Sequence, residues 1–184
     1  MERVLAVHQE AIRRLLLPRP DLPPEILADT TRIIHNLMDD DRVPIEESFL
    51  FPALRREPDS AGAVNLLRAE HREARHFVAM IEPLATSAAL RDPIARQELV
   101  AALRALEVVY RAHEDRETAF LAPGFRALAG CEILRALGLW VARQRPVVPG
   151  GHGDDAITGV LDRTEKSLGL TAAAVDSATP QACS

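Results

Sequence analysis

Two glutamates head nearly the same string. EESFLFPAL begins at Glu46 and ETAFLAPGF at Glu117, and each glutamate stands six residues before a proline, Pro52 or Pro123. His113 lies four residues before the second glutamate, which puts both side chains on one helical face about one turn apart. His8 and His71 interrupt otherwise apolar helical stripes. A single histidine on such a stripe is more often a satisfied core residue than a ligand, and a lone HxxxE pair occurs on ordinary surfaces. Five positions drawn from four helices, His8, Glu46, His71, His113 and Glu117, carry more weight together, because carboxylates in a core are costly unless a cation or a partner compensates them. Mixed nitrogen and oxygen donors suit iron, manganese or zinc, and carboxylate bridging in a bundle favours a two-metal centre of iron or manganese.

Four long amphipathic segments must position these side chains. The first covers about residues 2–17, with Leu5, His8, Ile12 and Leu15 facing inward, and ends at the proline-rich LPRPDLPP. The second runs from about Pro24 to Leu54, with Ile34, Met38, Arg42, Ile45, Phe49 and Ala53 along one face and Pro44 expected to kink or split it. The third spans 61–86 with Val64, Leu67, His71, Ala74, Val78 and Ile81 inward. The fourth, 93–122, carries the stripe Leu99, Leu103, Leu106, Tyr110, His113, Glu117 and Phe120. His35, His76 and His152 do not share the interior phase and are expected at the surface or in a linker. A short helix over 127–143, with Ile133, Leu134, Leu137 and Trp140, and an amphipathic segment over 155–168 follow. The organisation expected is a four-helix bundle over 1–125, a C-terminal helical extension packed on it over 126–170, and a flexible tail over 171–184. The fold class is all-α, an up-down-up-down bundle with additional short C-terminal helices.

Composition supports this reading and removes others. Of 184 residues, 47% are hydrophobic and only 9 are glycine, a balance that favours helix. A net charge of −5 without a Lys/Arg run gives no general attraction to nucleic acid or anionic membrane. No apolar stretch approaches the roughly 20 residues that cross a bilayer, and the N-terminal segment is amphipathic rather than a signal peptide. Cys131 and Cys183 fit no metal or disulfide spacing, so a cytoplasmic location is expected. No P-loop, dinucleotide fingerprint or nucleophile elbow is visible.

With these residues in place, the chain resembles the hemerythrin-like, HHE cation-binding family. The resemblance rests on helix-one His8, the EESFLFPAL block, LLRAEHREAR around His71, AHEDRETAFLAP around His113, and a distal GHGDDAITGVLDRTEKSLGL similar to the C-terminal extension of many bacterial members. It implies His8, Glu46, His71, His113 and Glu117 as metal ligands, with Glu46 and Glu117 as bridging carboxylates of an oxo-bridged diiron centre. Two positions depart from the family pattern. Arg75 stands four residues after His71, where some members carry a second histidine. Arg42 stands four residues before Glu46, where the family places the helix-two histidine, and a guanidinium cannot ligate a cation. His8 and that missing histidine would share one metal, so this half of the site is expected to be weakened while the His71/His113 half survives. Glu47, His35 or water are candidates to compensate. Two metals with an altered ligand set, one metal, and none all stay open.

The resemblance implies a protein that handles O2, NO or iron by binding, sensing or stress protection. Two other readings stand beside it: a diiron oxidase or oxygenase acting on a small substrate, with Arg42 as its anion-binding group, and a metal-free bundle acting as an interaction module. Tyr110, one turn before His113, is a candidate hydrogen-bond donor to a bound ligand, although a core aromatic is the commoner role.

Overall fold

Helix dominates because Ala and Leu recur at steps of three and four, and among the described residues no strand forms. The computed structural model describes residues 2–36, 38, 42–56, 60–121 and 153–170. In chain order the elements are α1 (Glu2–Leu15), α2 (Pro24–Asn36), α3 (Arg42–Ile45), a π-helical turn (Glu46–Leu50), α4 (Phe51–Leu54), α5 (Ala61–Ile81), a 3-10 turn (Glu82–Leu84), α6 (Ser87–Arg91), α7 (Pro93–Arg116), a second π-helical turn (Glu117–Leu121) and α8 (Gly153–Leu168). The helix expected over 127–143, both cysteines and the 171–184 tail lie outside the described residues, as does the side chain of Arg42. No helix among the described residues is long and apolar enough to cross a membrane.

The chain divides into two compact units. The first comprises Met1–Ile33, Ala79–Arg104 and His152–Ser184. Its core includes Leu5, Val7, Ile26, Leu27, Ile81, Leu99, Leu103 and Leu161, all buried. Within it α8 packs on α1, held by Arg3, whose Nε and Nη2 donate to Glu165 over 2.8 and 2.9 Å and whose Nη2 also reaches Asp162. Arg14 Nη2 donates to the Leu168 carbonyl over 2.7 Å, and Gly169, at φ 71°, ends α8 in the left-handed conformation that a side chain would resist. Two starts are capped by short polar side chains. Thr86 Oγ1 accepts from Ala89 N ahead of α6, and Asp92 Oδ1 accepts from Ile94 N ahead of α7, where Pro93 fills the first helical position.

The second unit comprises Ile34–Val78 and Ala105–Gly151. Phe51, Leu54, Val64 and Leu67 form its apolar cluster, with Leu50 packed against them. Here the structure departs from the periodicity of the sequence. Of the expected long second helix, the described residues form α2 up to Asn36 and α3 from Arg42, with residues 37 and 39–41 outside the description. Pro44 lies within α3. The expected inward residues Ile45, Phe49 and Ala53 are only half-buried, while Val43, Glu46, Phe51 and Leu54 are buried. The cause is the π-helical turn, in which Phe51 N–H donates to the Glu46 carbonyl, five residues back instead of four. Pro52 has no N–H to offer Ser48 and its ring would crowd that carbonyl, so the widened turn relieves the conflict and moves the interior face by one residue. The second copy of the string behaves alike: a π-helical turn begins at Glu117, and Phe120, expected inside, is 43% exposed. On α5 the expected stripe from Val64 to Ile81 is buried throughout.

Candidate metal centre

Three donors converge in the second unit. Ligand atoms of Glu46, His71 and His113 all lie within 4.8 Å of one another, and all three residues are buried. His71 Nε2 lies 3.2 Å from Glu46 Oε2, and His113 Nε2 lies 3.0 Å from Glu117 Oε1. The two imidazoles lie with centroids 4.8 Å apart and planes tilted by 57°. Both glutamates are the first residues of the π-helical turns, so the echo in the sequence becomes a pair of matched carboxylates against a pair of imidazoles.

An outer carboxylate holds the far nitrogen of each ring. His71 Nδ1 is 2.8 Å from Glu47 Oε1, and His113 Nδ1 is 3.3 Å from Glu70 Oε2. Each outer acid is met by an arginine: Arg116 pairs closely with Glu70, and Arg75 Nη1 lies 3.8 Å from Glu47. Arg75, one of the two departures from the family pattern, also donates to the Met38 carbonyl over 3.2 Å. In the tautomer whose Nδ1–H donates outward, each ring turns a lone pair on Nε2 towards an inner carboxylate, and His71 Nε2 is buried without a hydrogen bond. Lone pair against carboxylate at this range is repulsive, and it becomes favourable once a cation lies between them. Donor atoms about 2.0–2.2 Å from a small transition-metal ion stand at most about 4.4 Å apart, so a small contraction of the cluster accommodates such an ion. Glu46 and Glu117 supply the inner carboxylate oxygens for it.

Support from Glu47 and Glu70 is measurable. Replacing either by glutamine keeps the shape and weakens ring orientation and basicity. We expect each variant to lose roughly 10–100-fold in metal affinity, read by competition with a chromophoric chelator, while the melting temperature of the metal-free protein stays close to that of the parent.

His8 lies in the first unit, fully buried on α1. The Thr30 hydroxyl donates back to the Ile26 carbonyl over 2.9 Å, which leaves Oγ1 to accept from His8 Nε2–H at 3.0 Å. That tautomer leaves a lone pair on His8 Nδ1, a buried nitrogen with no hydrogen-bond partner among the described residues. Burial pushes the imidazole pKa down from 6.5 to about 4, so the neutral, ligand-competent ring is the folded form. In the unfolded chain the ring takes up a proton below about pH 6.5, whereas the folded ring resists until about pH 4. The stability it contributes is complete above the first value and is lost as pH falls through the second, about 3 kcal/mol in all. Urea unfolding of metal-free protein should record most of that loss between pH 7 and 4.5, and His8→Gln should flatten this part of the profile. An equal slope in the variant would assign the effect to other groups.

Sequence reasoning missed Glu70 and Thr30. Glu70 directly precedes His71 in AEHREAR and caps the other histidine, across α5 and α7, a pairing no local spacing reveals. Thr30 is fully buried on α2, and its only signal was a threonine on an apolar helical face. His35 and His76 are exposed, as expected, and Tyr110 is half-buried.

Comparison with known proteins agrees with this chemistry. The chain aligns at 25% identity over 170 residues with uncharacterized proteins of Mycobacterium tuberculosis and Mycobacterium bovis, covering 92% of this chain. It spans 66% of the length of those relatives, just under two thirds. No solved structure matches. The model of the hemerythrin HHE cation-binding domain matches residues 2–130, and with histidines and glutamates gathered in the helical interior the chain belongs to the hemerythrin HHE cation-binding family.

Proposed function

We propose that this chain is a non-haem iron protein that handles O2, NO or iron, by binding, sensing or stress protection. The observation that carries the reading is the doubled arrangement in which each imidazole is held outward by a carboxylate and meets a second carboxylate inward, through His71 and His113. Glu46, His71, His113 and Glu117 are the residues that would hold the first ion. His8, kept neutral by burial, would serve a second, weaker position, because Arg42 replaces the histidine that the family pattern supplies there. In this reading the helices run up-down-up-down, the extension beyond residue 125 packs on the bundle, and the protein works in the cytoplasm. A reduced iron held by these residues would bind O2 or NO and donate electron density to it.

The chain's own residues set the conditions for that chemistry. Glu47 and Glu70 fix the tautomer and angle of the rings. Phe51 stacks on the His71 ring with centroids 5.6 Å apart and planes 19° apart, closing that side to water. Leu67 and Val64 continue the apolar wall of the Phe51 cluster. Such a lining excludes water and protons, which slows autoxidation and favours reversible binding over turnover.

Metal stoichiometry and the ultraviolet-visible spectrum of protein grown with iron test the reading. The parent chain should carry about one tightly held iron, and Arg42→His should raise loading towards two with oxo-bridged ferric absorption. Protein that binds no iron, in the parent and in Arg42→His, would overturn it.

A further inference from the structure

We propose that the first unit carries a separate binding site for a multiply charged organic anion, an organic phosphate or a polycarboxylate, in the cleft between the α1–α2 connection and the α6–α7 corner. The cleft has a volume of about 540 Å³, and Arg19, Arg91 and Arg96 all line it. Its remaining wall is Ser87, Leu22, Leu90 and three prolines, with no acidic residue.

What sets these three apart is that they gather at one acid-free opening, while several other arginines of the unit are ion-paired. Arg3 is matched by Glu165 and Asp162, Arg13 and Arg14 by Glu10, and Arg32 by Asp29. Arg19, Arg91 and Arg96 have no carboxylate partner among the described residues, although the whole chain has 27 acidic residues against 22 basic ones. The neighbouring acids do not fill the role. Asp21 and Glu25 do not line the cleft, and the Asp92 carboxylate is occupied in capping the Ile94 N–H at 3.0 Å. Three like charges around one opening repel one another, and an anion between them removes that repulsion.

The cleft is also built to keep its shape. Arg19 stands between Pro18 and Pro20; the rings fix φ on both sides, and the residue before a proline is held extended. Arg96 Nη1 donates to the Leu90 carbonyl over 3.2 Å, which fixes that guanidinium on the wall and leaves its other N–H groups for a ligand. Guanidinium forks match phosphate and carboxylate oxygens in pairs. The volume falls within the roughly 300–1,000 Å³ of small-molecule sites and exceeds what an inorganic anion fills. A carbon body against Leu22, Leu90 and the proline rings accounts for the remainder.

Isothermal titration of the full chain, with and without iron, tests the site with pyrophosphate, citrate and fructose 1,6-bisphosphate as probes and acetate as the singly charged control. At least one of the three should bind one per chain, more weakly as salt rises, and equally in both metal states. The double variant Arg19→Gln with Arg91→Gln should weaken it tenfold or more. Arg72→Gln, an exposed arginine in the other unit, should leave it within twofold. A preference for the phosphates or for citrate assigns the class, and either result supports the site. Probes that bind no better than acetate, or an equal loss in Arg72→Gln, would overturn it. The altered side chains are exposed, and a parallel melting curve checks that the fold is retained.

Discussion

His113→Ala should remove most metal from the chain, a larger loss than the roughly 10–100-fold expected for a supporting carboxylate. His113 Nε2 is one of the three converging donors and lies 3.0 Å from Glu117, so its removal takes a ligand and leaves that carboxylate without the imidazole beside it. The outer ion pair of Glu70 with Arg116 also loses the ring it supports. Metal analysis after growth with iron reads the loss directly. Because the variant shortens a buried side chain, its circular dichroism and its metal-free melting curve should accompany the measurement. His113→Gln, closer in volume, should fail to load as well, which separates ligation from packing. Full loading in both variants would remove His113 from the site.

The second large effect is on stability. Phe51→Ala should cost about 3–5 kcal/mol, the range for truncating a buried aromatic, and lower the melting temperature by on the order of 10 °C. Phe51 has no exposure, packs with Leu54, Val64 and Leu67, stacks on His71, and has the Arg68 guanidinium 5.7 Å from its ring centre on α5. Its loss therefore opens a cavity and leaves one face of a ligand ring unsupported, so metal affinity should fall together with stability. Phe51→Leu should recover much of the stability and less of the affinity, because an aliphatic side chain fills space without stacking. A melting temperature unchanged in Phe51→Ala would show that the cluster does not hold this unit together.

Regular periodicity was legible along most of the regular helices, although Tyr110 on α7, expected inside, is only half-buried. On α1 and α5 every residue expected inside is buried, His8 and His71 included, because an unbroken 3.6-residue repeat projects one stripe onto one face. The reading failed at the two prolines. At Phe49 and Ala53, and again at Phe120, the expected interior face was extrapolated through a turn that holds one extra residue. The identical placement of Pro52 and Pro123 was visible, but its consequence was not, since hydrophobic spacing cannot tell a proline that kinks a helix from one that widens it. His8, His71, His113 and Glu117 were legible because chemistry and repeat pointed to the same residues, whereas Glu46 was legible only through its echo of Glu117. The outer acids were not, because Glu70 acts across helices and resembles any other charged residue on a solvated face.

The widened turns bear on any attempt to improve this protein. A designer who idealised both segments, replacing the prolines and restoring regular four-residue bonding, would gain rigidity in each rod. The same edit would swing each leading acid by about 100° around its axis, the angle of one helical residue. A tougher chain with no place for its ion is the expected product, so the local irregularity is what fits these rods to coordination chemistry.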